Sequence, residues 1–208
     1  MASASNSQLE SQKFYQIIKH FPLVIDGKIN IKGFLEAASD LILLVERLGK
    51  VFAPVKYDMQ GNIDKIKKYY VYDDNSCLLE LMLNDKTKDR PGIESVVWLN
   101  RAIHFYELIF EEVINCVQSN QLDVATKKLF TVAYEGSVKK YHNWVTQQIF
   151  TFICKMAPTL RQMLKAIEAE GDLKIFTETL TTYNIKLHLI RCKIDDFVKE
   201  NSLFDETL

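Results

Sequence analysis

From Leu173 to Phe197, apolar residues recur at alternating spacings of three and four: Leu173, Phe176, Leu180, Tyr183, Leu187, Ile190, Ile194 and Phe197. That period draws one continuous stripe along a long helix, and such a stripe requires a buried face. A coiled coil would bury it, as would the core of a helical domain. Its setting among other amphipathic segments favours packing within its own domain. Strands have no comparable claim on this chain, so the fold class expected is all-α.

The rest of the chain reads the same way. KFYQIIKHF forms a short helix ending before Pro22, and a second runs from about Ile31 to Gly49 with Phe34, Ala38, Leu41, Val45 and Leu48 as its stripe. Pro54 breaks the chain before the next helix, because proline lacks an amide donor. Gly61 lies in that helix, either for close packing or as the mark of its true start. The polar stretch Asn84 to Gly92 separates it from a long helix through Trp98 and Phe110. Ser119 to Asp123 supplies a turn, one or two helices follow between Val124 and Met156, and Pro158 can begin another. The expectation is about eight helices in two layers, one domain over residues 1–208, with Met1 to Ser11 mobile.

Composition sets the outer bounds. An apolar fraction of 48% argues against disorder, and 7 Gly with 4 Pro leave few turn signals. A formal charge of -1 offers no global attraction to nucleic acid. The run Lys65 to Lys68 reads as a solvated helix face or as help at an anionic membrane. No segment approaches the ~18 apolar residues of a membrane span. The N-terminus MASASNSQLESQ has no basic and apolar targeting pattern. Cys77, Cys116, Cys154 and Cys192 stand far apart in apolar segments, as reduced buried thiols would. Together these point to a cytoplasmic protein.

One stretch breaks the apolar pattern. In KYDMQGNIDKIKKYY, Asp58, Asn62 and Lys65 follow one another by four and three residues, which places them on one helical face. A carboxylate, an amide and an ammonium side by side can grip a neutral ligand bearing hydroxyls and an amide. Trp98 and His142 are partners from later helices. Each residue also has an ordinary reading: Asp58 as a surface charge or cap, Trp98 as core, His142 as a satisfied helix histidine. Phosphate-loop, zinc-protease and nucleophile-elbow motifs are all missing, and His20, His104, His142 and His188 show no metal-ligand spacing. No catalytic residue, metal or cofactor is expected.

The stretches FAPVKYDMQGNIDKIKKYY, WLNRAIHF and AYEGSVKKYHNW resemble the glycolipid transfer protein family, and the resemblance covers nearly the whole chain. It implies an all-helical, two-layer fold that carries sphingolipids without altering them. It also implies that Asp58 binds sugar hydroxyls and the ceramide amide, with Asn62 and Lys65 on further hydroxyls. The sugar would stack on Trp98, and His142 would donate to the ceramide amide oxygen. Relatives that carry ceramide phosphate have cationic residues where this chain has Glu94 and Trp98, so a neutral glycosylceramide is the expected ligand and ceramide phosphate the alternative. Glu94 also suits the start of a helix near Pro91. A helical lipid sensor or adaptor would share the fold. The remaining expectations are a monomer, transient contact with the cytosolic face of a membrane, and Trp144 at the portal, where an indole ring can enter lipid while its donor stays wet.

Overall fold

Nine α-helices and no β-strand make up residues 12–204, the part of the chain that the computed structural model describes. In chain order they are α1 (Phe14–Ile17), α2 (Ile31–Arg47), α3 (Ala53–Tyr69), α4 (Leu78–Leu83), α5 (Pro91–Gln118), α6 (Thr126–Gly136), α7 (Trp144–Met156), α8 (Leu160–Ala166) and α9 (Leu173–Glu200). The expected mobility of Met1 to Ser11 lies outside the described residues.

Local chemistry sets most of the helix starts. The Asn30 side chain accepts from the Gly33 amide at 2.7 Å to cap α2, and Asp172 accepts from the Ile175 amide at 3.0 Å to cap α9. Thr159 and Gln162 form a reciprocal capping box on α8. Proline stands in the first turn of α3 and of α5, where its missing amide costs no helical bond.

The apolar stripe of α9 lies against α5, so it serves the interior of this chain. α5 is the central helix and also packs on α3 and α6, while α2 closes on α3 and α7 on α6. A charged clamp holds α5 to α9. Glu107, 2% exposed, takes Arg191 Nε at 2.8 Å and Nη2 at 3.1 Å, and it meets His188 Nδ1 at 2.6 Å. Burial alone would raise its pKa. The hydrogen bonds from Arg191 and His188 outweigh that and hold the carboxyl below its ordinary value.

Several expectations need correction. The segment after Pro54 is not one helix to Asn84, because α3 stops at Tyr69 and the chain loops to Cys77. Asp73 drives the loop, accepting from the Asn75 amide at 2.9 Å and the Ser76 hydroxyl at 2.8 Å. Cys77 then bridges to Asn30. Gly61 sits mid-helix, and a Cβ there would meet nothing within 4 Å, so it serves neither close packing nor a helix start. Gly92 does serve close packing: a Cβ there would come within 2.7 Å of the Tyr70 ring. KFYQIIKHF is helical for four residues only. All four cysteines are free thiols, but Cys192 is half-buried where full burial was expected.

Candidate functional site

α3 carries the polar triplet, and its members fare differently. Asp58 is solvent-exposed along its flank, yet its surroundings crowd the carboxyl and raise its pKa, while the Lys65 charge pulls it back down. Asn62, one turn on, is 6% exposed and donates to the Asp58 carbonyl at 3.0 Å. Lys65 points to solvent, as do Lys67 and Lys68, with Ile66 buried between them. The triplet therefore shares a helix face without sharing one environment.

Trp98 enters from α5 and His142 from the segment that joins α6 to α7. That segment is held in place: a 3-10 turn at Lys139–Tyr141 leads into extended backbone at His142. The Gln147 side chain donates to the His142 carbonyl at 2.8 Å, and Asn143 caps α7 through the Thr146 amide. Trp98 and His142 lie nearly parallel, 18° between planes and 6.1 Å between centroids. Tyr141 meets Trp98 edge-on at 6.2 Å.

Asp58, Trp98 and His142 line one hollow of about 130 Å³, walled by Pro54, Phe105, Ile149 and Phe150 among others. Asn62 and Lys65 do not line it. No Lys or Arg does so among the described residues. Arg101 stacks over the Tyr141 ring at 3.4 Å and over the Trp98 ring at 4.8 Å, and it lines a separate cleft toward α9. Glu94 is exposed in the first turn of α5.

His142 has a partner that sequence reading passed over. The Tyr134 hydroxyl lies 2.9 Å from Nδ1. Burial, and then the Arg101 charge, lower the His142 pKa, so the ring is neutral at pH 7. Burial pushes Tyr134 up to about 12, which keeps its phenol protonated. Tyr134 stands eight residues before His142 in AYEGSVKKYHNW. Its signal was available there, but an aromatic on an apolar face reads as core.

Trp144 opens α7 and is 72% exposed, so it is not a core tryptophan. Val145, Ile149, Phe152 and Met156 are also exposed, at spacings of four, three and four along α7. Ile149 belongs both to this stripe and to the wall of the hollow.

A second, strongly apolar cavity of about 60 Å³ lies among α2, α5, α8 and α9, lined by residues that include Leu44, Ile109, Met163 and Leu180. It shares no lining residue with the hollow. Phe105 on the hollow side and Tyr106 on the cavity side are neighbours on α5, with rings 5.2 Å apart. Among the described residues no helix is long and apolar enough to cross a membrane, and no cluster of His, Cys, Asp and Glu could hold a metal ion.

The sequence pattern described as "Glycolipid transfer protein (GLTP)" matches residues 29–169. A "Glycolipid transfer protein" of Danio rerio is 30% identical over 163 residues, 73% of this chain and 77% of its own length. Among solved structures, one describing how FAPP2 selects simple glycosphingolipids with the GLTP fold superposes with a TM-score of 0.80 at 21% identity, covering 94% of this chain and 99% of that one. Human ceramide-1-phosphate transfer protein in complex with 12:0 ceramide-1-phosphate superposes with a TM-score of 0.71 at 19% identity, covering 92% and 94%.

Proposed function

Because this chain belongs to the glycolipid transfer protein family, whose members transfer lipids and are not enzymes, we propose that it carries neutral glycosylceramides between membranes. The headgroup sits in the hollow and the hydrocarbon enters the apolar cavity. The observation that carries this reading is the lining of the hollow: a carboxylate, an imidazole and an indole face, with no cation among the described residues.

Asp58 accepts from sugar hydroxyls and from the ceramide amide, and Asn62 and Lys65 extend the polar face along α3. Trp98 gives the sugar ring an apolar face. With Tyr134 as the donor in its 2.9 Å contact to Nδ1, the neutral His142 carries its ring proton on Nε2, free for the amide carbonyl. Two residues thus pair both ends of one amide, and an amide or hydroxyl left unpaired there would cost about 1–3 kcal/mol. An added phosphate would bring negative charge beside Asp58 in a hollow that no Lys or Arg lines among the described residues, with Arg101 held against the Trp98 and Tyr141 rings. At about 4 Å that repulsion is ~1 kcal/mol in water and ~4 kcal/mol at an effective dielectric of about 20.

The test is a competition between labelled glucosylceramide and labelled ceramide phosphate moving between vesicles. Faster transfer of the sugar lipid, recovered chemically unchanged, supports the reading. Preferential transfer of the phosphate lipid reverses the headgroup assignment. Tight binding with slow release would make the protein a sensor instead of a carrier.

A further inference from the structure

The apolar cavity is not uniformly apolar. Four polar atoms buried at its wall have no hydrogen-bond partner: the hydroxyls of Tyr15, Tyr106 and Tyr183, and Nδ1 of His20. The three tyrosines are 6%, 1% and 6% exposed, and Thr179 adds another hydroxyl to the lining. Ring contacts run from His20 to Tyr183 at 5.5 Å, from Tyr183 to Phe110 at 5.8 Å and from Phe110 to Tyr106 at 6.1 Å, so three of the four, all but Tyr15, belong to one continuous wall.

A helical core that needed only to hold hydrocarbon would place phenylalanine at such positions. A tyrosine hydroxyl buried there without a partner lowers stability, because it has lost its water and gained nothing. Burial raises the pKa of Tyr106 and Tyr183, which keeps both as donors. Burial and the Lys186 charge lower that of His20, which keeps its ring neutral and able to accept. The wall therefore holds donors and an acceptor that are covered in the unliganded protein and would be met by a chain that parts the side chains around them.

We propose that this cavity selects a sphingolipid whose hydrocarbon chain carries a hydroxyl well away from the amide, received by Tyr106, Tyr183 and His20. The inference rests on the glycosylceramide reading and narrows it to a class of chain. Placement of the hydroxyl follows from the geometry of α5. Tyr106 lies eight residues beyond Trp98 on that helix, a rise of about 12 Å. A group next to the amide would stay at the hollow, whereas one near the middle of the chain would reach this wall.

The experiment measures equilibrium binding of three glucosylceramides: one with an unsubstituted acyl chain, one hydroxylated at mid-chain and one hydroxylated beside the amide. The wild-type protein should bind the mid-chain isomer about tenfold more tightly than the unsubstituted lipid, or ~1.4 kcal/mol. The isomer hydroxylated beside the amide should show no such gain. In the Tyr106→Phe, Tyr183→Phe double variant the ratio of affinities should fall to parity. Without lipid, that variant should melt at or above the wild-type temperature. A lower melting temperature would show that the hydroxyls are already satisfied by water, which overturns the proposal. Equal binding of all three lipids by the wild type overturns it while leaving the glycosylceramide reading intact. So does an equal gain from both hydroxylated isomers, or a preference that survives the double variant. Binding of none of the three overturns both readings.

Discussion

Asp58 is held in a state that costs the unliganded protein stability. Its folded pKa is raised, so the folded form binds protons more readily than the unfolded chain over the window just above the ordinary carboxylate value. Stability falls as pH rises through that window, and at neutral pH the full penalty applies. Asp58→Asn removes the charge but keeps the shape. It should melt higher than wild type at pH 7 and lose transfer by at least about tenfold, ~1.4 kcal/mol. A folded Asp58→Asn variant with normal transfer would show that the carboxylate does not anchor the headgroup. His142 titrates in the other direction. Its pKa is lowered by burial first and by Arg101 second, so the unfolded chain takes up protons before the folded one as pH drops below about 6.5. Its contribution to stability is complete above that value and declines as pH falls toward the folded pKa. Arg101→Gln should therefore raise the His142 pKa in an NMR titration, whereas Arg101→Lys, which keeps the charge, should not. An unmoved pKa in Arg101→Gln would leave burial as the sole cause. The local four-and-three spacing singled out Asp58, which lines the hollow, together with Asn62 and Lys65, which do not. The Tyr134–His142 contact could not, since a hydroxyl on a core face gives no local sign of its partner.

Helix α7 shows how one element serves two surfaces. Phe150, Ile153 and Cys154 face the interior, while Val145, Ile149, Phe152 and Met156 form an exposed stripe beside Trp144. Exposed apolar groups lined up in this way suit insertion into a membrane interface, and Ile149 connects that stripe to the hollow. Pairing Trp144→Ala with Phe152→Ser should weaken sedimentation with vesicles by at least about tenfold and leave the helical circular dichroism unchanged, since fully burying one such side chain is worth ~1.5–3 kcal/mol. Unchanged association would remove α7 as the docking element. The stripe of α9 was equally plain in the sequence, because period alone defines it. The break between α3 and α4 was harder to see. Asp73 and Ser76 carry the turn chemistry, but the loop is fixed by the bridge from Cys77 to Asn30, a contact that no local window contains. The clamp of Glu107 on Arg191 was out of reach for the same reason, its partners being 84 positions apart in the chain.

At the scale of the whole molecule, the hollow and the apolar cavity are separate, and the cavity is small. Its volume of about 60 Å³ is room for a few water molecules only. A chain of about 16 carbons would gain on the order of 12 kcal/mol from leaving water, but it is too bulky for a space of this size without movement. Uptake of the chain there would have to spread the helices that wall it, among them α2, α5, α8 and α9. Leu180 tests this directly, because it is half-buried on α9 and lines the cavity, so a larger side chain can be accepted without wrecking the core. Leu180→Trp would occupy the space in advance, at an overpacking cost of about 1–3 kcal/mol. Transfer of a long-chain glucosylceramide should fall by at least about tenfold, while a lipid with a truncated acyl chain, held mainly at the hollow, should be much less affected. Circular dichroism would establish that the variant is folded. If the folded variant carried the long-chain lipid at the wild-type rate, the hydrocarbon would have to run elsewhere, and the division of labour between hollow and cavity would fail.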